Sequence, residues 1–159
     1  MKIANYEPIK CVAVLIGKVK GVIYFEETLD KSTRIYGRIF GLKHGFHGFH
    51  IHEAGDLTEG CKSACAHYNP FEKTHSGPLN RNRHVGDLGN VVADSKGIAN
   101  IDMFDDMVKL RGKYSVVGRS IVVHEDEDDL GKGGHKDSLT TGHAGARLAC
   151  GVIGYAKNC

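Results

Sequence analysis

The sequence has no tryptophan and only 3 prolines in 159 residues. It has no apolar run near the ~20 residues that a membrane-spanning helix needs. The longest early run, Cys11 to Gly17, is far shorter. It also lacks a large excess of either charge, since 21 basic and 19 acidic side chains leave a net +2. That balance excludes nucleic-acid binding through bulk positive charge and leaves room only for a local basic patch. A secretory signal would start basic and run apolar to a small-residue cleavage site. Here Lys2 is followed by Glu7 and Lys10, and the first apolar run stops at Lys18. The expectation is a cytoplasmic protein with no membrane and no nucleic-acid partner.

What the chain does have is 21 glycines, 10 histidines and 5 cysteines. An odd cysteine count leaves at least one thiol free or paired between chains. Short β-branched and aromatic runs recur at Val12–Ile16, Val22–Glu26, Arg34–Phe40, Leu88–Ala93, Ile98–Met103, Ser120–His124 and Leu148–Ala156. Gly17-Lys18-Val19-Lys20-Gly21 and Asp94-Ser95-Lys96-Gly97 are turn sequences between them. No helical pattern of about 10–12 residues is present; Asp105–Lys113 is read as one helical turn at most. The pattern predicts an all-β sandwich or barrel over residues 1–159, in one domain. Two stretches, Glu53–Leu88 and Glu125–Ala146, are read as long loops without strand or helix. Loops of that length in a compact domain have a function or an organiser.

The organiser is suggested by the histidines. In Gly48-Phe49-His50-Ile51-His52 the two imidazoles share one strand face, and Phe49 and Ile51 share the other. His67, His75, His84 and Asp87 follow in the first long loop, and His124 ends a later strand. Any one of these reads as a surface histidine. Together they offer six imidazoles and a carboxylate, donors suited to copper and zinc.

Gly48-Phe49-His50-Ile51-His52-Glu53, His67-Tyr68-Asn69-Pro70, His84-Val85-Gly86-Asp87-Leu88-Gly89-Asn90, Val122-Val123-His124-Glu125 and Gly145-Ala146-Arg147-Leu148-Ala149-Cys150-Gly151 resemble the copper–zinc superoxide dismutase family, from about Cys11 to Ala156. The resemblance implies a Greek-key β-barrel of about eight antiparallel strands. It implies one copper ion held by His50, His52, His67 and His124, and one zinc ion held by His67, His75, His84 and Asp87. His67 would bridge the two. The implied activity is disproportionation of superoxide to oxygen and hydrogen peroxide, with Arg147 and His67 as catalytic residues. Asp128 matches a carboxylate that orients the ligand imidazoles, Thr141 a residue narrowing the channel, and His47 a packing histidine beneath the site. His44, His135 and His143 match no ligand motif.

Cys61 and Cys150 match the family's intrasubunit disulfide. Cys65 departs from the family pattern and could exchange with it. Cys11 is expected buried and inert, and Cys159 exposed. Where many members carry two acidic residues and a lysine in the steering loop, this chain has Lys136-Asp137 and Thr140. Fast kinetics sensitive to salt are still expected. The resemblance also implies a homodimer, meeting near Gly55-Asp56, Gly118 and Ile153-Gly154, and weakened by Ala54 where many dimers have a large aromatic. A copper chaperone is an implied partner. The rival reading is a metal-binding homologue without activity, or a module that docks such a chaperone. All seven ligand positions and Arg147 are present, which favours the enzyme.

Overall fold

The computed structural model describes residues 6–159; residues 1–5, including Lys2 of the stretch read against an export signal, lie outside the described residues. Among the described residues there are ten strands: β1 Lys10–Gly17, β2 Lys20–Glu27, β3 Thr33–Phe40, β4 Gly45–His52, β5 Thr58–Cys61, β6 Asp87–Ala93, β7 Ile98–Asp105, β8 Ser120–His124, β9 Arg147–Val152 and β10 Gly154–Tyr155. Eight of them pair antiparallel in the order β1-β2-β3-β7-β6-β4-β8-β9. The second half of β1 then pairs with β9, Ile16 opposite Cys150, and closes the barrel. The first half of β1 pairs with the extra strand β10. Neighbours out of chain order, β3 with β7 and β4 between β6 and β8, give the Greek-key crossing.

Alternation explains the core. Ala13 and Leu15 of β1, Ile23 and Phe25 of β2, Ile35 and Ile39 of β3, Phe49 and Ile51 of β4, and Ile121 and Val123 of β8 all face inward and are buried. Burying each large side chain contributes about 1.5–3 kcal/mol. The register of β4 against β8 sets Phe49 opposite Val123 and His50 opposite Val122. With Phe49 and Ile51 committed to the core, His50 and His52 must point out of the barrel.

Four details differ from the sequence expectation. The first long loop holds β5 and a 3-10 turn at Lys62–Ala64. The second holds one turn of helix, α1, at Ser138–Thr141. No helix forms at Asp105–Lys113; Asp105 instead accepts the backbone N–H groups of Met107 and Val108, each at 2.8 Å, which makes a side-chain-capped turn. The final apolar run is two strands, because Ile153 turns its side chain into the core and its N–H to the Arg119 carbonyl at 2.8 Å. No helix among the described residues is long and apolar enough to cross a membrane.

Candidate metal centre

The outward face of β4 and β8 is roofed by both long loops, so six histidines and two aspartates there are buried although they lie outside the barrel. His67 reaches the cluster because its backbone bridges to His52, and next to it the Tyr68 N–H donates to the Ile51 carbonyl, Ile51 to Gly86 and Gly86 to Tyr68. A side chain at Gly86 would collide with the Ile51 carbonyl, so only glycine lets the loop lie this close.

Two sets of donor atoms converge. His50, His52, His67 and His124 form one, and His67, His75, His84 and Asp87 the other, with the ligating atoms of each set within 4.8 Å of one another. In the first set, His50 Nδ1 and His67 Nε2 are buried with no hydrogen-bond partner among the described residues, and His52 Nε2 and His124 Nε2 face each other at 3.3 Å. An unbonded buried polar atom costs about 1–3 kcal/mol. Four imidazole lone pairs aimed into one space fit a cation that accepts nitrogen donors. In the second set, Asp87 Oδ1 lies 3.0, 2.8 and 3.1 Å from the Nδ1 atoms of His67, His75 and His84. Its Oδ2 accepts the N–H groups of Ser76 and His84. Three nitrogens and one oxygen make a four-donor set of a composition that zinc takes. His67 belongs to both sets, one ring nitrogen to each.

The surrounding residues fix these rings. Asp128 accepts from His50 Nε2 and His75 Nε2, both at 2.7 Å, and so ties one set to the other. Asn90 clamps the backbone of Asp128, donating to its carbonyl at 2.9 Å and accepting its N–H at 2.7 Å. Gly142, left-handed at the end of α1, packs so closely that a Cβ there would meet Asp128 Oδ1 and His75 Nε2. His52 Nδ1 donates to the Cys65 carbonyl at 2.8 Å, and His124 Nδ1 to Gly145 at 3.2 Å. Each proximal nitrogen is thereby fixed as a lone-pair donor. His47 lies buried, its ring nitrogens each 2.8 Å from a carbonyl, those of His124 and Lys43.

Burial, and then the neighbouring imidazoles, hold His50 and His52 well below the usual histidine range. Burial brings His124 down to about 3 and also lowers His67. These rings are neutral and ready to ligate at pH 7. Burial also opposes charge on His75, but Asp128 and Asp87 outweigh it and raise it to about 9. Asp87 is destabilised by burial, yet the three histidines hold its carboxyl far below the usual range.

Arg147, half-buried at the start of β9, donates to the carbonyls of Cys61 and Cys65, both at 2.7 Å. Cys61 and Cys150 form a disulfide with Cα atoms 5.7 Å apart, closing 89 residues. Loop-closure entropy makes such a bridge worth at most about 4–5 kcal/mol. Cys65 and Cys159 are free and exposed, and Cys11 is free and buried, its thiol pushed up to about 11 by burial. Thr141 lies exposed on α1, its hydroxyl donating to Asp137. Asp137 also accepts from His143 at 2.6 Å, and His143 stacks on His135. These two histidines join neither donor set.

Sequence reasoning missed two supports. Asn90 closes the His84–Asn90 motif, where the sequence gives it no role. Arg83 is fully buried; it donates to the carbonyls of His84, Val85 and Asp87 and pairs with Asp105 at 2.5 Å. It thus fixes the segment that carries two donors. The only available signal was its position beside His84.

Comparison with known proteins agrees with this geometry. Residues 19–153 match the family model for copper/zinc superoxide dismutase. Over 152 residues the chain is 57% identical to "Superoxide dismutase [Cu-Zn]" of Paramecium bursaria Chlorella virus 1, covering 95% of this chain and 81% of that protein. A two-metal donor set on a Greek-key barrel and a match over most of its length lead to one conclusion: the chain belongs to the copper/zinc superoxide dismutase family.

Proposed function

We propose that the two donor sets divide the work of superoxide dismutation, His50, His52, His67 and His124 holding copper and His67, His75, His84 and Asp87 holding zinc. The observation that carries this reading is the pair of buried, partnerless nitrogens, His50 Nδ1 and His67 Nε2. Bound copper supplies a one-electron couple that oxidises one superoxide to oxygen and reduces the next to hydrogen peroxide, and bound zinc supplies a redox-inert positive charge. His67 Nε2 is the atom where one proton can be held and then given to the reduced oxygen, and water supplies the second proton that hydrogen peroxide requires. Asp128 keeps the His50 and His75 rings from rotating. Arg147 stays protonated at any working pH. Its guanidinium attracts the anion and orients it, while the Cys61 and Cys65 carbonyls keep it in place. Thr141 narrows the approach.

Because net charge is only +2, attraction of superoxide is local. A rate that falls as salt rises supports steering, and a rate flat with ionic strength refutes it. Elemental analysis paired with a dismutation assay, before and after copper addition, tests the metal assignment. The expected result is copper and zinc in equal amounts and activity that rises with copper; full activity in His124→Ala would overturn it.

The same reading treats residues 1–159 as one domain, working in the cytoplasm of a cell or of a virus's host and receiving copper from a chaperone. It takes a homodimer through the surface around Gly55, Gly118 and Gly154. Gly55 packs directly on the Gly118 carbonyl, and Val152 stands exposed beside them. Ala54 offers little apolar area there, so sedimentation should detect dissociation on dilution through the micromolar range.

A further inference from the structure

Two histidines that neither donor set uses meet on the second long loop. The rings of His135 and His143 stack with centroids 3.7 Å apart and planes 9° from parallel. Both residues are exposed. The loop brings them together around α1. The His135 N–H donates to the Ser138 hydroxyl at 2.9 Å, and the Ser138 N–H returns to the His135 carbonyl at 3.2 Å. At the other end of α1 the chain turns at Gly142, and His143 follows it with a left-handed backbone. His143 Nδ1 donates to Asp137 Oδ1 at 2.6 Å. That bond leads the influences that hold the Asp137 carboxyl below the usual carboxylate range. It also settles the ring: with the Nδ1 proton turned to a carboxylate, Nε2 is left as a lone-pair donor. An imidazole held in this way is the usual form of a metal-ligating histidine.

We propose that His135 and His143 form a peripheral metal site on this loop, taking one divalent cation, copper(II) in preference to zinc(II), through one nitrogen of each ring. The preference follows from the donors, since imidazole sites bind copper(II) more tightly than zinc(II). Both rings are exposed, and the Cβ–Cγ torsion of histidine is broad. Each ring can therefore turn a nitrogen to a shared ion, with water completing its shell. Local charge agrees. Asp137 holds His143, and Asp129 accepts from the Ser138 hydroxyl at 2.5 Å, so two carboxylates stand close to the pair. The cations of the same loop, Lys132 and Lys136, are exposed, where water and salt screen them. An anion fits poorly, because Asp137 is the group already bonded to the pair.

The test uses the metal-loaded full chain with the exposed thiols of Cys65 and Cys159 alkylated and its starting metal content fixed by elemental analysis. Equilibrium dialysis against copper(II) at neutral pH should show one further saturable equivalent, with zinc content unchanged. Zinc(II) should occupy the same site more weakly and shift the ring resonances of His135 and His143. His135→Asn and His143→Asn should each remove the extra equivalent and leave the metals of the buried sets in place. Asp137→Asn should weaken it by roughly 10–100-fold. Acid should release it across the histidine range, because ligation needs the neutral ring. The count is taken above the starting content, so it is independent of which metal each buried set holds. Absence of a further equivalent in the unsubstituted chain would overturn the proposal. So would an extra cation bound equally well by the double variant His135→Asn, His143→Asn, ring shifts confined to His44, or undiminished binding in acid.

Discussion

One barrel has two outward faces of opposite character. On β4 and β8 the outward face carries His50, His52 and His124, all buried; on β1 to β3 it mixes exposed apolar Val14, Ile16, Val22 and Phe40 with exposed Lys20 and Arg38. Strand alternation explains neither. The difference comes from the connections: the two long loops fold over β4 and β8, whereas β1, β2 and β3 are joined by short turns that cover nothing. Polarity inside and outside this protein is therefore set by where the chain between strands goes. A roofed face can hold polar groups only if they are satisfied, and here Asp87, Asp128 and main-chain carbonyls satisfy most of them; among the described residues His50 Nδ1, His67 Nε2 and Arg83 Nε are buried without a partner.

The sharpest way to break the roofed face is His67→Ala, which takes a donor from both sets. Copper and zinc should both be lost on dialysis and dismutation should fall to background, read by elemental analysis and assay. Asp128→Ala should lower affinity at both sites by about 10–100-fold. Asp126→Ala, in the same acidic run but exposed, should leave competition titrations with a chelator unchanged. Cys150→Ser should cost about 2–5 kcal/mol in urea unfolding, since it frees the loop that carries Arg147's carbonyl partners.

The metal-free protein should also weaken in acid. His50, His52, His67 and His124 have folded pKa values below the ordinary 6.5, so the unfolded chain binds more protons below that pH. Their neutral burial therefore becomes progressively unfavourable as pH falls from 6.5 toward about 3, where His124 titrates. His75 acts in reverse, adding stability below 6.5 that is lost as pH rises through about 9. With four groups against one, the urea midpoint should drop between pH 7 and pH 4.5, and copper and zinc should reduce the drop. The bare face sets the lower limit of the comparison: Ile16→Lys should change stability by no more than about 0.5 kcal/mol.

Most of the fold was legible because the strands obey a period of two. Phe49-His50-Ile51-His52 alone predicts which side chains enter the core and which leave it. The donor sets were legible because imidazoles at fixed spacings are rare without a purpose. What failed to show was support rather than chemistry. Arg83 is one long cation among many, and only the folded loop shows its fork meeting three carbonyls and Asp105. Asn90 depends on a backbone segment 38 residues later, which no local pattern encodes. The short elements β5 and α1 were invisible because each is four residues long, below the span over which periodicity can be read.

The carbonyl oxygen of Cys65 serves two masters at once, His52 Nδ1 and Arg147 Nη2. The residue holds that oxygen in place at φ 65°, a left-handed geometry that favours glycine. The result is a shared datum: the imidazole proposed to hold copper and the guanidinium proposed to receive the anion are both measured from one backbone atom. Any substitution that shifts this peptide group therefore acts on both side chains at once. Precision of aim in this protein thus depends in part on one peptide group that two side chains share.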